Sequence, residues 1–198
     1  MQSEVPKQFL LLDDRPIIVR TIQVFNAYDA NLKIIVVLPK DHIDQWIDIK
    51  SNYLSDIDVD VAEGGSTRGE SVQSGLAKID GPGLVAVHDA VRPFVSIDVI
   101  SQTYHSAERN GSGVAVVQLK DSIRELDGES SLAKDRANYV LVQTPQTFDV
   151  ERLKIAYAKA GSDVFTDDAS VYESAGYQVY LVDGDYANIK ITTPEDLK

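Results

Sequence analysis

The sequence predicts an α/β fold: a mostly parallel sheet flanked by helices, with one protruding β-hairpin arm. Three observations lead there. Apolar runs of strand length alternate with amphipathic stretches along most of the chain. Two runs, within Lys33–Pro39 and Leu84–Val87, are continuously apolar, as in strands buried on both faces of a parallel sheet. The rhythm breaks once, at about residues 119–143, where extended segments flank a polar, glycine-containing stretch. With 198 residues and no internal repeat, a single domain over 1–198 accommodates the pattern.

Pro16–Phe25 reads as a helix, with proline in its first turn and apolar residues at helical spacing. The first buried strand follows at Lys33–Pro39. Asp41–Tyr53 reads as a helix capped by Asp41 and carrying the only tryptophan, Trp46. Ile57–Val61 alternates as a short strand and leads through Gly64-Gly65-Ser66-Thr67-Arg68 into a helix reaching Ile79. After the Leu84–Val87 strand, Pro93 delays the next helix to Ser96–Asn110. The strand Val114–Leu119 comes next. In the arm, Lys120–Asp127 and Asn138–Gln143 pair as a long hairpin across Gly128–Arg136. Thr144-Pro145-Gln146-Thr147-Phe148 ends that strand and opens a helix over Asp149–Ala160. Thr166–Ala175 is the last helix, and Tyr177–Val182 and Ala187–Thr192 are the last strands.

Composition narrows the function. A formal charge of −12 argues against a nucleic-acid backbone as partner, since such binding rests on clustered Lys and Arg. It leaves anionic small molecules open, because a local basic pocket can hold phosphate. No apolar run approaches a membrane span, and no basic-then-apolar leader is present. With no cysteine there is no disulfide or thiolate site. The three histidines, His42, His88 and His105, share no ligand spacing, and neither a nucleophile elbow nor a Walker phosphate loop occurs.

The most informative motif is His88-Asp89-Ala90-Val91-Arg92-Pro93, a loop at the carboxyl end of a strand. Ligands bind at that edge of an open α/β sheet. Asp89 and Arg92 there suit a metal and a phosphate, or an ion pair that staples the loop. The glycine pair Gly64-Gly65 allows close backbone approach at a helix start, where free amides favour anions. Ser66 or Thr67 serves equally as a plain N-cap. Thr166-Asp167-Asp168-Ala169-Ser170 reads as a capped helix start. Lys7 and Lys190 are unremarkable singly.

Taken together and in this order, PKQF, EGGSTRGESV, VHDAVRPF, the KDS and DR elements of the arm, TPQTF, TDDAS and NIKITTPEDL resemble one family. It is the 2-C-methyl-D-erythritol 4-phosphate cytidylyltransferases of isoprenoid biosynthesis (the non-mevalonate pathway). The resemblance runs the length of the chain. The ribitol-5-phosphate cytidylyltransferases share PKQF, HDAVRPF, TPQ and NIKITTP, while TDDAS sits better with the methylerythritol enzymes. The resemblance implies a Rossmann-like, three-layer nucleotidyltransferase fold and a cytoplasmic homodimer using CTP, a sugar-alcohol phosphate and Mg²⁺. By position, Lys7 matches the lysine that stabilises charge at the α-phosphorus. Gly65, Arg68 and Ser71 match the segment holding the nucleotide, and Asp89 a carboxylate near nucleotide and metal. Arg92, Thr144 and Lys190 match the acceptor side. Ser122 and Arg136 match arm positions that enter the neighbouring subunit's site.

Two departures accompany the match. Ser66 stands where some members carry an acidic residue. Members also begin with a buried strand and a Gly-rich loop carrying a catalytic Arg ahead of PKQ, whereas Met1-Gln2-Ser3-Glu4 already stands past that loop. The expectation is a fragment or a sequence with segments left out, because losing a central parallel strand would expose long sheet edges; were the chain complete, catalysis would be severely impaired. A non-catalytic nucleotide-binding or dimerising remnant is therefore a third reading beside the two enzymes.

Overall fold

A computed structural model describes residues 6–161 and 165–197. Met1–Glu4 and Lys198 lie outside them. A 3₁₀ turn at Lys7–Phe9 leads into a small hairpin, β1 (Leu11–Leu12) and β2 (Arg15–Pro16). Its two-residue turn puts Asp13 and Asp14 at φ 45° and 65°, the left-handed pair such a turn requires. The chain then runs through α1 (Ile17–Tyr28), β3 (Ile34–Leu38), α2 (Ile43–Tyr53), β4 (Val59–Glu63), α3 (Arg68–Leu76), β5 (Leu84–Val87) and α4 (Ile97–Asn110). It continues with β6 (Ser112–Gln118), the arm strands β7 (Ile123–Asp127) and β8 (Ser130–Lys134), then β9 (Val140–Asp149), α5 (Val150–Ala160), α6 (Asp168–Ser174) and β10 (Leu181–Asp183).

The main sheet has the order β10-β6-β9-β5, and β3 pairs in parallel with β4 as a separate ribbon. In the main sheet only β9 runs against its neighbours. Three layers follow from the pleat. Val114 and Val116 of β6 face a core shared with α5, α6 and Leu76 of α3, whereas Ala115 between them faces Val99 and Ile100 of α4. A third cluster packs α1 and Trp46 of α2 against Val36 and Leu38 of β3.

Several elements differ from expectation. The arm is a tighter hairpin: β7 pairs with β8 across Gly128, and 138–143 does not join them. Instead TPQTF lies inside β9, a ten-residue strand paired with both β5 and β6. Pro145, which reads as a helix entry, sits where the β6–β9 register slips, and Thr144–Pro145 is cis. A residue without an N–H is tolerated in a central strand at such an irregularity. Asp41 lies in a 3₁₀ turn ahead of α2 and caps nothing. Ala187–Thr192 forms no strand, because Asp185 folds Ala187 and Asn188 into a turn. The end of the chain closes in a 3₁₀ turn, Pro194–Leu197.

The largest difference concerns β3 and β5. Both are apolar enough to be buried on two faces, yet most of their residues are only half-buried. They are not hydrogen-bonded to each other. A cavity of about 600 Å³ lies between them, roofed by Ile22 and Phe25 of α1 and Val72 and Gly75 of α3. Among the described residues, each strand thus presents an unpaired edge to the same slot.

Candidate active site

Asp89 is the hub of a polar cluster at the carboxyl end of β5. Its Oδ2 accepts from Arg92 Nε at 3.0 Å and lies 3.2 Å from Lys190 Nζ. The Asp89 N–H donates to Thr144 Oγ1 at 3.0 Å. The ion pair that staples the loop is present, and it belongs to a larger basic cluster. Burial raises the Asp89 pKa, but Lys190 and Arg92 outweigh it and hold the carboxyl below its ordinary range. Asp89 stays ionised at neutral pH.

Buried groups fix this geometry. Asn188, fully buried, donates from Nδ2 to the Thr144 carbonyl at 2.8 Å, while its own carbonyl accepts from Arg92 Nη1 at 2.8 Å. Thr21 Oγ1 of α1 donates to the Ala90 carbonyl at 2.9 Å, bracing the loop from below. Lys7 joins through the backbone, its Nζ donating to the Thr192 carbonyl at 3.0 Å. Reading the sequence missed Asn188 and Thr21. Asn188 had a signal, a lone amide between the apolar residues Ala187 and Ile189.

A second cluster stands at the start of α3. Thr67 is the N-cap: its Oγ1 accepts from Glu70 N–H at 3.1 Å, and Glu70 Oε2 reaches back to the Thr67 N–H, a capping box. The same Oε2 accepts from the N–H and hydroxyl of Ser66, each at 2.6 Å. These bonds, the hydroxyl's first, lower the Glu70 pKa. Ser71 Oγ donates to the Thr67 carbonyl at 2.9 Å. Gly65 is needed here, since a Cβ would fall 2.3 Å from Glu70 Cβ. Arg68 and Ser71 border the slot with Asp89 and Lys190.

The arm residues stand apart. Ser122 precedes β7, and Arg136 donates to the Lys120 carbonyl at the arm's base. Among the described residues, no hydrogen bond or ion pair ties either to the Asp89 cluster. Nor do the described residues contain a group of three acidic or histidine side chains able to hold a metal alone.

A three-layer α/β domain with basic groups at the strand carboxyl ends, beside a glycine-containing helix start, defines a nucleotidyltransferase. The family model for 2-C-methyl-D-erythritol 4-phosphate cytidylyltransferase (IspD) matches residues 1–198. Proteins of that name from Bacteroides thetaiotaomicron and Phocaeicola vulgatus are each 46% identical over 198 residues, covering 100% of this chain and 90% of theirs. The 4-diphosphocytidyl-2C-methyl-D-erythritol synthase structure from Anaerococcus prevotii superposes with TM-score 0.87 at 30% identity, over 96% of this chain and 89% of that one. The Thermus thermophilus 2-C-methyl-D-erythritol 4-phosphate cytidylyltransferase gives 0.82 at 33% identity, over 97% and 90%. The chain belongs to the 2-C-methyl-D-erythritol 4-phosphate cytidylyltransferase family.

Proposed function

We propose that this chain transfers a cytidylyl group from CTP to 2-C-methyl-D-erythritol 4-phosphate, releasing pyrophosphate. The single observation that carries the reading to the site is the Asp89 carboxylate shared by Arg92 and Lys190. An acceptor phosphate oxygen attacks the α-phosphorus, a new P–O bond forms, and the bond to the pyrophosphate oxygen breaks. The attacking atom is already anionic, so no strong base is required. What the reaction needs is screening of two anions brought into line. Lys7, Lys190 and Arg92 supply positive charge for it. Gly65, Arg68 and Ser71 flank the nucleotide, and Thr144, on the acceptor side, holds the Asp89 backbone in place.

The residues fit a divalent cation in one respect. Asp89 Oδ2 is committed to the cations, which leaves Oδ1 without a partner among the described residues, and Mg²⁺ commonly takes one carboxylate plus substrate phosphates. Asp89 would hold it, and the ion would neutralise phosphate charge. Ser122 and Arg136 are assigned to the site of a second subunit. The arm's exposed apolar residues, Leu126 and Leu132, support that pairing. The substrates are water-soluble phosphates and no described helix is long and apolar enough to span a membrane, so we place the protein in the cytoplasm.

The test is pyrophosphate release from CTP on addition of methylerythritol phosphate with Mg²⁺. Lys190→Ala should lower kcat/KM by about 10²–10³-fold, the range for losing one charge-stabilising donor. Ribitol 5-phosphate should substitute poorly. Absence of release from the chain with the family's amino-terminal strand and Gly-rich loop restored would sink the proposal.

A further inference from the structure

Asp168 opens α6 and is completely buried, yet it is an ionisable group. A buried carboxylate is costly unless well paired. Its oxygens accept from Tyr157 Oη on α5 at 2.5 Å and from Arg68 Nη2 at the start of α3. Three helices thus converge on one side chain. Capping does not account for it, because the neighbouring Asp167 already caps α6, with Oδ1 accepting from Ser170 N–H at 3.0 Å. The second oxygen of Asp167 takes Gln146 Nε2 of β9 at 3.0 Å. The two side-chain partners of Asp168 are instead Tyr157 and Arg68. That arginine is 39% exposed and borders the slot beside Ser71, Asp89 and Lys190. Its guanidinium has five N–H donors in a rigid plane, so fixing Nη2 fixes the direction of the rest. Burial lowers the Arg68 pKa, but the bond and charge of Asp168 outweigh it, and the group stays cationic.

We propose that Asp168 and Tyr157 are positioning residues for nucleotide binding. The buried carboxylate aims the Arg68 guanidinium at the cytidine nucleotide, and the Tyr157 hydroxyl locks the carboxylate. The inference rests on the cytidylyl-transfer reading for the nature of the ligand. It gives a role to TDDAS, a motif that otherwise reads only as a helix start.

The experiment measures CTP affinity by calorimetry and the KM values for CTP and acceptor. Tyr157→Phe keeps the ring and removes one hydroxyl; Asp168→Asn keeps the shape and removes the charge. CTP affinity should weaken about threefold to tenfold in the first and tenfold to a hundredfold in the second. kcat and the acceptor KM should change little. In an Arg68→Ala background neither substitution should weaken CTP further, because both act through that side chain. Equal losses with and without Arg68 would show a merely structural role and overturn the proposal. Unchanged CTP affinity in folded Tyr157→Phe would overturn it as well, even if Asp168→Asn does not fold. Should CTP bind and respond as expected while methylerythritol phosphate elicits no pyrophosphate, the acceptor assignment fails and this one stands. No CTP binding by the unmodified chain would defeat both.

Discussion

At the scale of single residues, His88 and Asp89 are adjacent but live under opposite constraints. Asp89 is kept charged by its cations, whereas burial pushes His88 down to about 4. His88 Nε2 lies 3.1 Å from the Arg92 carbonyl, which can only accept, so Nε2 carries the proton. Nδ1 is buried without a partner among the described residues. Protonating it places a charge in the core beside Phe25, whose ring centroid is 4.9 Å away. The folded pKa lies below the unfolded value, so the unfolded state binds the proton more tightly. Stability from this residue is present above about pH 6.5 and is lost as pH falls toward 4. By pH 5 the loss should be about 2 kcal/mol. Urea unfolding at pH 7.5 and 5.0 measures it, and His88→Gln should shrink the difference between the two. An equal difference in the variant would exonerate His88. The sequence marked this loop because Asp89 and Arg92 are three residues apart. It could not reveal Lys190 as the second cation on Asp89, since that contact depends on the fold.

At the scale of elements, the start of α3 is the clearest case of local chemistry deciding structure. Gly65 lets Glu70 curl back over Ser66 and Thr67, satisfying N–H groups that a helix start otherwise leaves free. Gly65→Ala should force Glu70 aside and lose the box, costing about 1–2 kcal/mol of stability. Chemical denaturation should show a lower midpoint, with CTP binding weakened alongside. A variant as stable as the parent would mean that the box contributes nothing. Helices were legible wherever periodicity and a cap coincided, as with α4 behind Ser96 and α5 behind Asp149. β9 was misread because Pro145 imitates a boundary, and only the slipped register against β6 makes room for it. The β1–β2 hairpin escaped notice because two aspartates, not the usual Asn-Gly, occupy its turn.

For the whole molecule, the arm and the slot matter most. The arm carries Leu126 at 81% and Leu132 at 60% exposure on strands that, among the described residues, are hydrogen-bonded to no strand but each other. A two-stranded ribbon is marginal alone, so a covering surface would stabilise it. Sedimentation at micromolar concentration should give a dimer, and Leu126→Asp with Leu132→Asp should give a monomer. A monomeric parent would refute arm exchange. The apolar composition of β3 and β5 made their neighbourhood in the fold readable. Strand β9 has a mechanical consequence. It starts just past the arm, pairs with both β5 and β6, and its Thr144 hydroxyl accepts from the Asp89 N–H. Tension on the arm is therefore carried along a single strand to the loop that holds Asp89.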